Sequence, residues 1–491
     1  MTDVAASGHA GMARPPRVVV IGAGIGGLAC AHTIRELAGD ALEVVVLEAA
    51  SRPGGLIRSE LHDGYRIEWA TNGFLDNAPR TLALVQRLGL GPELEPSSAT
   101  AAKRFILRGG RMHLLPVRPQ DFMRSPLLSL RGRLRVALEP FARPAPAGID
   151  ETVHAFAARR IGDEAARILV DAMVSGVFAG DPRTISVASA FPLLVQLEAE
   201  HGGLIRGMLA KQRAARRDRR AGRPAAAVGA GPGGRLTSFR DGMETLPRRL
   251  AERLGTVVRY DTPVRAMRPA TDDVARGAPR FRLELDGERE AVAADGVVVA
   301  VPAWTATRLV ETLDAPLASE LAAIHGAPLV VVALGFDAAR LGRPPDGFGF
   351  LVPSGEGLAI LGCLWDSSIF RFRAAPGRVL MRVMAGGARR PDLVELDDAT
   401  LVDLVRRDLR RSMGLDVAPE LLKVIRHRHG IAQYPPGHGA RLARIDTRLA
   451  AHPGLELTGF SYRGIAVNRV IEDAEAVARR VVARLAAGAA G

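Results

Sequence analysis

The chain has 491 residues, 47% of them hydrophobic and 24% charged, too long for one compact core and too evenly mixed for a disordered or membrane-embedded protein, so two or three soluble globular domains are expected. Its two cysteines, Cys30 and Cys363, lie in apolar contexts that read as core and exclude a disulfide framework or a cysteine-rich metal site. The formal charge of +13 rests on 66 basic residues, of which only Lys103, Lys211 and Lys423 are lysine; an arginine bias of that kind follows from a GC-rich genome, and it leaves only a leaning towards anionic lipid surfaces or carboxylate ligands. No uncharged run reaches the ~20 residues of a spanning helix. Val18–Ile34 has the glycine spacing of a binding loop and no small-residue cleavage site before it, so a cytoplasmic location is expected.

Arg17-Val-Val-Val-Ile21 is short, β-branched and free of internal charge, the pattern of a buried parallel strand. Gly22-Ala23-Gly24-Ile25-Gly26-Gly27 follows at once and opens a helical run to Leu37, after which Glu43-Val-Val-Val-Leu-Glu48 reads as a second strand. Gly22 suits a tight turn, Gly24 a close approach of backbone to a pyrophosphate, and Gly27 close packing of helix on strand. The helix N-terminus offers free N–H groups and the positive end of a dipole to phosphates. Glu48 stands about twenty residues past the loop, where a carboxylate accepts hydrogen bonds from ribose hydroxyls and repels a 2′-phosphate. Strand, loop, helix, strand and acid in this order indicate dinucleotide binding, with NAD and FAD both open.

Between roughly 101 and 234 the chain carries helical patterns, as at Val153–Phe156 and Ala165–Val177, with breaks at Pro140, Pro144 and Pro146. This stretch ends in the basic run Lys211-Gln-Arg-Ala-Ala-Arg-Arg-Asp-Arg-Arg220, expected to be a solvated mobile loop through 234; without interleaved aromatics it does not suit nucleic acid. Asp295–Pro302 reads as a further buried strand, and from 306 to 420 short β-like runs (Leu329–Phe336, Gly347–Val352, Gly357–Leu364, Arg378–Met384) alternate with turns. His427, His429 and His438 lack acidic partners at ligand spacing and are expected at a cofactor edge or on the surface, with no metal site. Gly454–Gly459 reads as a last strand, and Tyr462–Asn468 leads into a helix from about Glu472 to Leu485.

Ser51-Arg-Pro-Gly-Gly-Leu56 and the C-terminal Gly454–Asn468 stretch resemble the flavoprotein superfamily that includes amine oxidases and carotenoid desaturases. The resemblance sharpens over Arg17 to about Leu485. Gly54–Ser59, Arg104–Gly110, Val174–Pro182, Ser238–Leu246 and Ser461–Asn468 are similar to the protoporphyrinogen oxidase family, the third and fifth segments specifically so. It implies an α/β fold with a two-dinucleotide-binding, glutathione-reductase-like FAD domain, a β-rich substrate domain and an inserted helical domain. The expected division is a discontinuous FAD domain (16–100, 235–305, 421–487), a helical insertion (101–234) and a substrate domain (306–420).

The resemblance also implies non-covalent FAD, held by Gly22, Ala23, Gly24, Ile25, Gly26 and Gly27 with Glu48, Ala49, Arg52, Gly55 and Leu56. Ala70, Thr71, Asn72 and Gly73, with Val264 and the C-terminal Ile465, Ala466 and Val467, complete that site. The implied substrate is a porphyrinogen. Arg104 would pair with a propionate, as a guanidinium can bidentately, Gly176 would bring a backbone carbonyl to the pyrrole nitrogens, and Leu351, Leu364 and Met384 would sandwich the rings. The reaction implied is hydride loss from a methylene bridge to flavin N5 with loss of a pyrrole N–H proton, three times over, molecular oxygen reoxidising the flavin to give peroxide. Coproporphyrinogen, with two more propionates, is the nearest rival substrate; an amine oxidase is disfavoured because Ser461–Gly464 has neither a cysteine nor an aromatic cage. A flavin-free scaffold docking on membranes through the basic run is the non-enzymatic rival. Peripheral membrane contact, and a monomer or homodimer, are compatible with all of these readings.

Overall fold

The computed structural model describes residues 14–116, 118–146, 148–221, 234–270, 279–287 and 290–489. Five short strands form one parallel sheet in the order Val258–Arg259, Glu43–Leu47, Arg17–Ile21, Gly296–Val299, Leu455–Leu457. The N-terminal and C-terminal stretches are therefore separated by a single strand, which is how residues more than 400 positions apart come to share one site.

Alternation along these strands divides them between two cores. Val18, Val20, Val44, Val46 and Val298 face the helices Ile25–Ala38 and Val467–Ala489, while Val19, Ile21, Val45, Leu47, Val297 and Val299 face a second layer. That layer is a three-stranded antiparallel sheet (Val264–Pro269, Phe281–Leu285, Val292–Ala294) with the helices Ala303–Val310 and Ala315–Ala322. Burial on both faces explains the unbroken Val/Ile run, each side chain contributing about 1.5–3 kcal/mol. Cys30 lies in the first core and Cys363 in the core of the second domain, both free.

A seven-stranded sheet forms the second body, in the order Leu421–Ala432, Gly326–Asp337, Arg378–Gly386, Ile360–Leu364, Gly349–Leu351, Arg104–Arg108, Arg111–Leu114. Its back carries Val330, Val332, Leu334, Phe350, Cys363, Met381 and Val383 and is covered by Leu401, Val405 and Leu409 of the helix Asp398–Met413. The expected boundaries at 101 and 421 therefore cut through this sheet. Two strands placed in the helical insertion, and one placed in the FAD domain, pair with it instead, because the backbone N–H and C=O groups of these segments find their ladder partners at the two ends of this sheet.

The described residues between 119 and 221 carry helices joined by turns, including a π-helical turn at Ala166–Val170, and are tied together by buried Arg160, which is neutralised by Glu139 and Glu198. The basic run at 211–220 is not a loop: it is the end of the helix Leu204–Arg220, where arginine and lysine are good helix formers. Residues 222–233 of the expected mobile segment lie outside the described residues. The terminal helix starts at Val467, a full turn before the expected Glu472.

The tightest constraint lies where the first helix meets the first strand. Gly22 has φ +105, a conformation reserved in effect for glycine, and a Cβ placed on Gly27 would stand 2.0 Å from the Gly22 carbonyl oxygen and 3.1 Å from Ala300 Cβ. Backbone cannot yield as a side chain can, so Gly27→Ala is expected to cost about 3 kcal/mol or more. Thermal unfolding followed by circular dichroism measures the loss, and a wild-type melting curve contradicts this account of the contact.

Candidate active site

The loop Gly22–Gly27 is closed by bonds that come from three directions. The Ala23 N–H donates to Glu48 Oε2 at 2.6 Å, the Ala50 N–H to Glu48 Oε1 at 2.9 Å, and the Gly54 N–H to the Ala23 carbonyl at 2.8 Å. Gly24 and Gly54 pair as a parallel bridge, with Gly55 against Gly24. Arg52 turns back on its own segment. Its guanidinium donates to the carbonyls of Pro53, Gly55 and Ile57 and so holds the Gly54-Gly55-Leu56 turn. Glu48 and Ala49 run beside Arg259–Val264, since the Thr262 N–H donates to the Glu48 carbonyl at 2.8 Å two residues before Val264.

The C-terminal stretch arrives at the same place. A Cβ on Gly26 would lie 3.1 Å from Val470 Cγ1 and 3.7 Å from Gly459 Cα, so the N-terminal ends of the first and last helices are in contact. Ile465 and Ala466 immediately precede Val467, the first residue of the last helix. Tyr434 holds that approach, its hydroxyl donating to the Phe460 carbonyl at 2.6 Å and accepting the Gly464 N–H at 3.2 Å. A Cβ on Gly24 would meet nothing within 4 Å. Two helix dipoles thus converge on open space over a glycine backbone, an arrangement that fits a diphosphate.

Ala70–Gly73 approaches the N-terminal end of the last helix. Asn468 Nδ2 of the last helix donates to the Leu75 carbonyl at 2.9 Å, just beyond this segment. On its other side, four buried charges that sequence reasoning missed lock it to the seven-stranded sheet: Glu68 (1% exposed) pairs with Arg373 (0%), and Asp366 (0%) with Arg382 (2%). The one available signal was Arg382 standing alone in the apolar run Val379-Leu-Met-Arg-Val-Met384.

The front of the seven-stranded sheet carries the expected substrate residues. Register sets Arg104 opposite Gly349, Gly349 opposite Leu364, and Leu364 opposite Arg382; the next row is Ile106, Leu351, Gly362, Met384 and Val331. Leu351, Leu364 and Met384 are half-buried on this one face, opposite the covered back. Arg104 stands two strands from Leu364, roughly 10 Å at the usual strand spacing. Gly176 lies in the last turn of the helix Asp171–Phe178, where carbonyls lack intrahelical partners, and its Cα faces Leu351: an added Cβ would come within 2.6 Å of Leu351 Cδ2. Asp171 fixes this helix to the sheet by accepting from Ser354 N at 2.9 Å and pairing with Arg389.

Arg104 itself has no carboxylate partner among the described residues. The side chain is exposed, with its guanidinium 4.9 Å from the Phe348 ring centroid, and the partial desolvation there lowers its pKa.

Residues 25–482 match the flavin containing amine oxidoreductase family. The chain belongs to that family. Its cofactor is FAD. This flavoprotein is 34% identical to protoporphyrinogen oxidase of Homo sapiens over 490 residues, covering 95% of the chain and 98% of the relative. It is also 29% identical to coproporphyrinogen III oxidase of Bacillus subtilis over 472 residues, covering 94% and 96%. Among solved structures, one from Exiguobacterium sp. 255-15 with a provisional protoporphyrinogen oxidase name superposes with a TM-score of 0.78 at 26% identity, covering 95% of this chain and 98% of that one. Putrescine oxidase, at 16% identity and a TM-score of 0.68, shares the fold.

The three histidines differ in their surroundings. His429 is exposed and stacks on Trp304, and His427 Nε2 bonds the Trp69 carbonyl. His438 is neither at the surface nor free: it is buried, stacked on Tyr434 at 4.3 Å, with Nε2 at 2.9 Å from the Tyr462 carbonyl, because the helix it begins packs beneath the 459–466 loop. Burial lowers its pKa below the usual 6.5, and does the same for His427. Below pH 6.5 the unfolded chain therefore binds protons that the folded chain excludes, so stability falls as pH drops, by up to about 1.4 kcal/mol per pH unit for each such histidine. Melting temperatures of wild type and His438→Gln between pH 7 and pH 5 should diverge, the variant having the shallower decline; parallel curves count against this account.

Proposed function

We propose that this flavoprotein oxidises protoporphyrinogen IX to protoporphyrin IX with molecular oxygen as the final acceptor. The observation that carries the reading is the front of the seven-stranded sheet: an apolar floor of Leu351, Leu364 and Met384 with the exposed guanidinium of Arg104, which has no carboxylate partner among the described residues, at one side. An unpaired guanidinium beside an apolar surface gains from a ligand carboxylate, and a bidentate pair also fixes the ligand's orientation. Neighbouring cations on that face are already neutralised, Arg108 by Glu164, Arg382 by Asp366 and Lys423 by Glu60. That favours two propionates at one edge over the four of coproporphyrinogen.

In this reading the loop Gly22–Gly27, with Glu48, Ala49, Gly55, Leu56 and Val264, holds the adenosine diphosphate half of FAD, and Arg52 acts by shaping that loop. Ala70–Gly73 and Ile465–Val467 border the ring. Bound FAD supplies electron-pair acceptance, needed three times for the six electrons that leave the macrocycle. The aliphatic floor excludes water from the reacting edge and packs against the apolar face of the macrocycle. The last-turn carbonyl of Gly176 accepts a pyrrole N–H and so orients the ring whose proton is lost.

We also infer peripheral attachment to anionic membranes. Among the described residues no helix is long and apolar enough to cross a bilayer. Leu130 (62% exposed), Leu134 (49%), Leu138 (54%) and Phe141 (77%) nevertheless line one side of the helix Leu130–Ala137 and its continuation, at a spacing of about one turn. Exposed Arg124 and Arg131 flank them, an apolar ridge with a cationic rim suited to acidic lipid.

Anaerobically prepared protoporphyrinogen and coproporphyrinogen, each mixed with enzyme and then exposed to air, should give porphyrin fluorescence preferentially with the first. Arg104→Ala should raise KM about tenfold or more with a smaller change in kcat. Preference for coproporphyrinogen, or an unchanged KM, rejects the corresponding claim. Vesicles of anionic lipid should sediment with the wild type and not with Leu134→Glu/Phe141→Glu, and equal sedimentation removes the ridge as the contact.

A further inference from the structure

Ala70–Gly73 belongs to no helix or strand, so regular backbone bonding does not hold it. The carbonyls of Ala70 and Asn72 are held by the two buried arginines instead, and that of Gly73 by Thr71 Oγ1. Arg382 Nη1 donates to the carbonyls of Glu68 at 2.8 Å and Ala70 at 3.1 Å, and Arg373 Nη2 donates to that of Asn72 at 3.2 Å and to Ser238 Oγ at 2.8 Å. Alternate residues 68, 70 and 72 therefore turn their carbonyls to one side, as in an extended chain. Asp366 completes the arrangement: it pairs with Arg382 and accepts from Asn72 Nδ2 at 3.1 Å.

Four buried charges are an expensive way to join a loop to a sheet, since apolar side chains of the same volume stabilise such a contact as well or better. What guanidinium groups add is a fixed position for each carbonyl they bind. Arg382 is also the cross-strand partner of Leu364 and lies two residues before Met384 on the same face. One side chain thus references the cofactor wall and the substrate floor to each other.

We propose that Asp366 and Arg382 are positioning residues, which set the place of Ala70–Gly73 against FAD and thereby the flavin's binding and its reduction potential. The pair is electrically balanced, so the flavin feels little net charge from it while both members are present. Loss of the Asp366 charge alone leaves the Arg382 cation uncompensated in a low-dielectric site, which favours the electron-rich reduced flavin. The inference depends on FAD as the cofactor and not on which porphyrinogen is oxidised.

The test reads the flavin alone. Holoenzyme of wild type, Asp366→Asn and the charge-neutral Asp366→Asn/Arg382→Gln is titrated with FAD after deflavination, and the flavin potential is measured by spectroelectrochemistry. The single variant should bind FAD about tenfold more weakly, the loss expected of a charge-assisted contact, and show a more positive potential. The double variant should keep the weak binding while its potential returns towards wild type. Should the single variant fail to fold, the double variant decides by its FAD affinity: weakened binding in folded protein supports the proposal, and wild-type binding overturns it. Unchanged affinity and potential in a folded single variant overturn the proposal, as does weakened binding with no movement of potential in either variant, the mark of a purely structural role.

Discussion

The structure depends on the contact of backbone with backbone between Gly22 and Gly27. It presses the first helix onto the central strand closely enough for that helix's free N–H groups to face the space above Gly24, and it leaves Gly26 touching Gly459 and Val470 of the C-terminal stretch. A helix held one side chain further away would aim its dipole elsewhere and lose contact with the last helix. The parallel sheet, with Arg17–Ile21 bonded on both sides, supplies the rigid base for this approach. Cofactor binding is thus a property of packing distance before it is a property of any polar side chain.

The second body meets the first through charge. Irregular backbone such as Ala70–Gly73 leaves its polar groups in want of partners, and burying it beneath a sheet would be costly unless those groups were satisfied. Arg373 and Arg382 satisfy them, and Glu68 and Asp366 neutralise the arginines in turn. Interfaces of this type tolerate conservative change poorly, because removing one member leaves another buried and unpaired.

Against that neutralised background, Arg104 is distinctive. It sits on the same face of the same sheet, exposed beside the Phe348 ring, with no acid to answer it among the described residues. One cation is bound into the fold and the other is free for the carboxylate recognition proposed above, at one edge of an apolar surface. The helix Asp171–Phe178, fastened by Asp171 to Ser354 and Arg389, brings Gly176 down upon Leu351 and limits the height of that surface.

The sequence alone determined the glycine loop, its flanking strands, the acid at Glu48 and the β-rich character of 306–420, since each of these is written in local spacing: four glycines within six residues, or short apolar runs between turns. The resemblance carried by short motifs extended this to FAD and to Arg104. Only the tertiary structure decided which strands complete the second sheet, that Arg52 shapes a turn, that 211–220 is helical, that His438 is buried, and that Glu68 and Asp366 meet Arg373 and Arg382. Partners such as Glu68 and Arg373, some three hundred residues apart, are chosen by how whole layers pack, and nothing in the neighbourhood of either residue encodes the other.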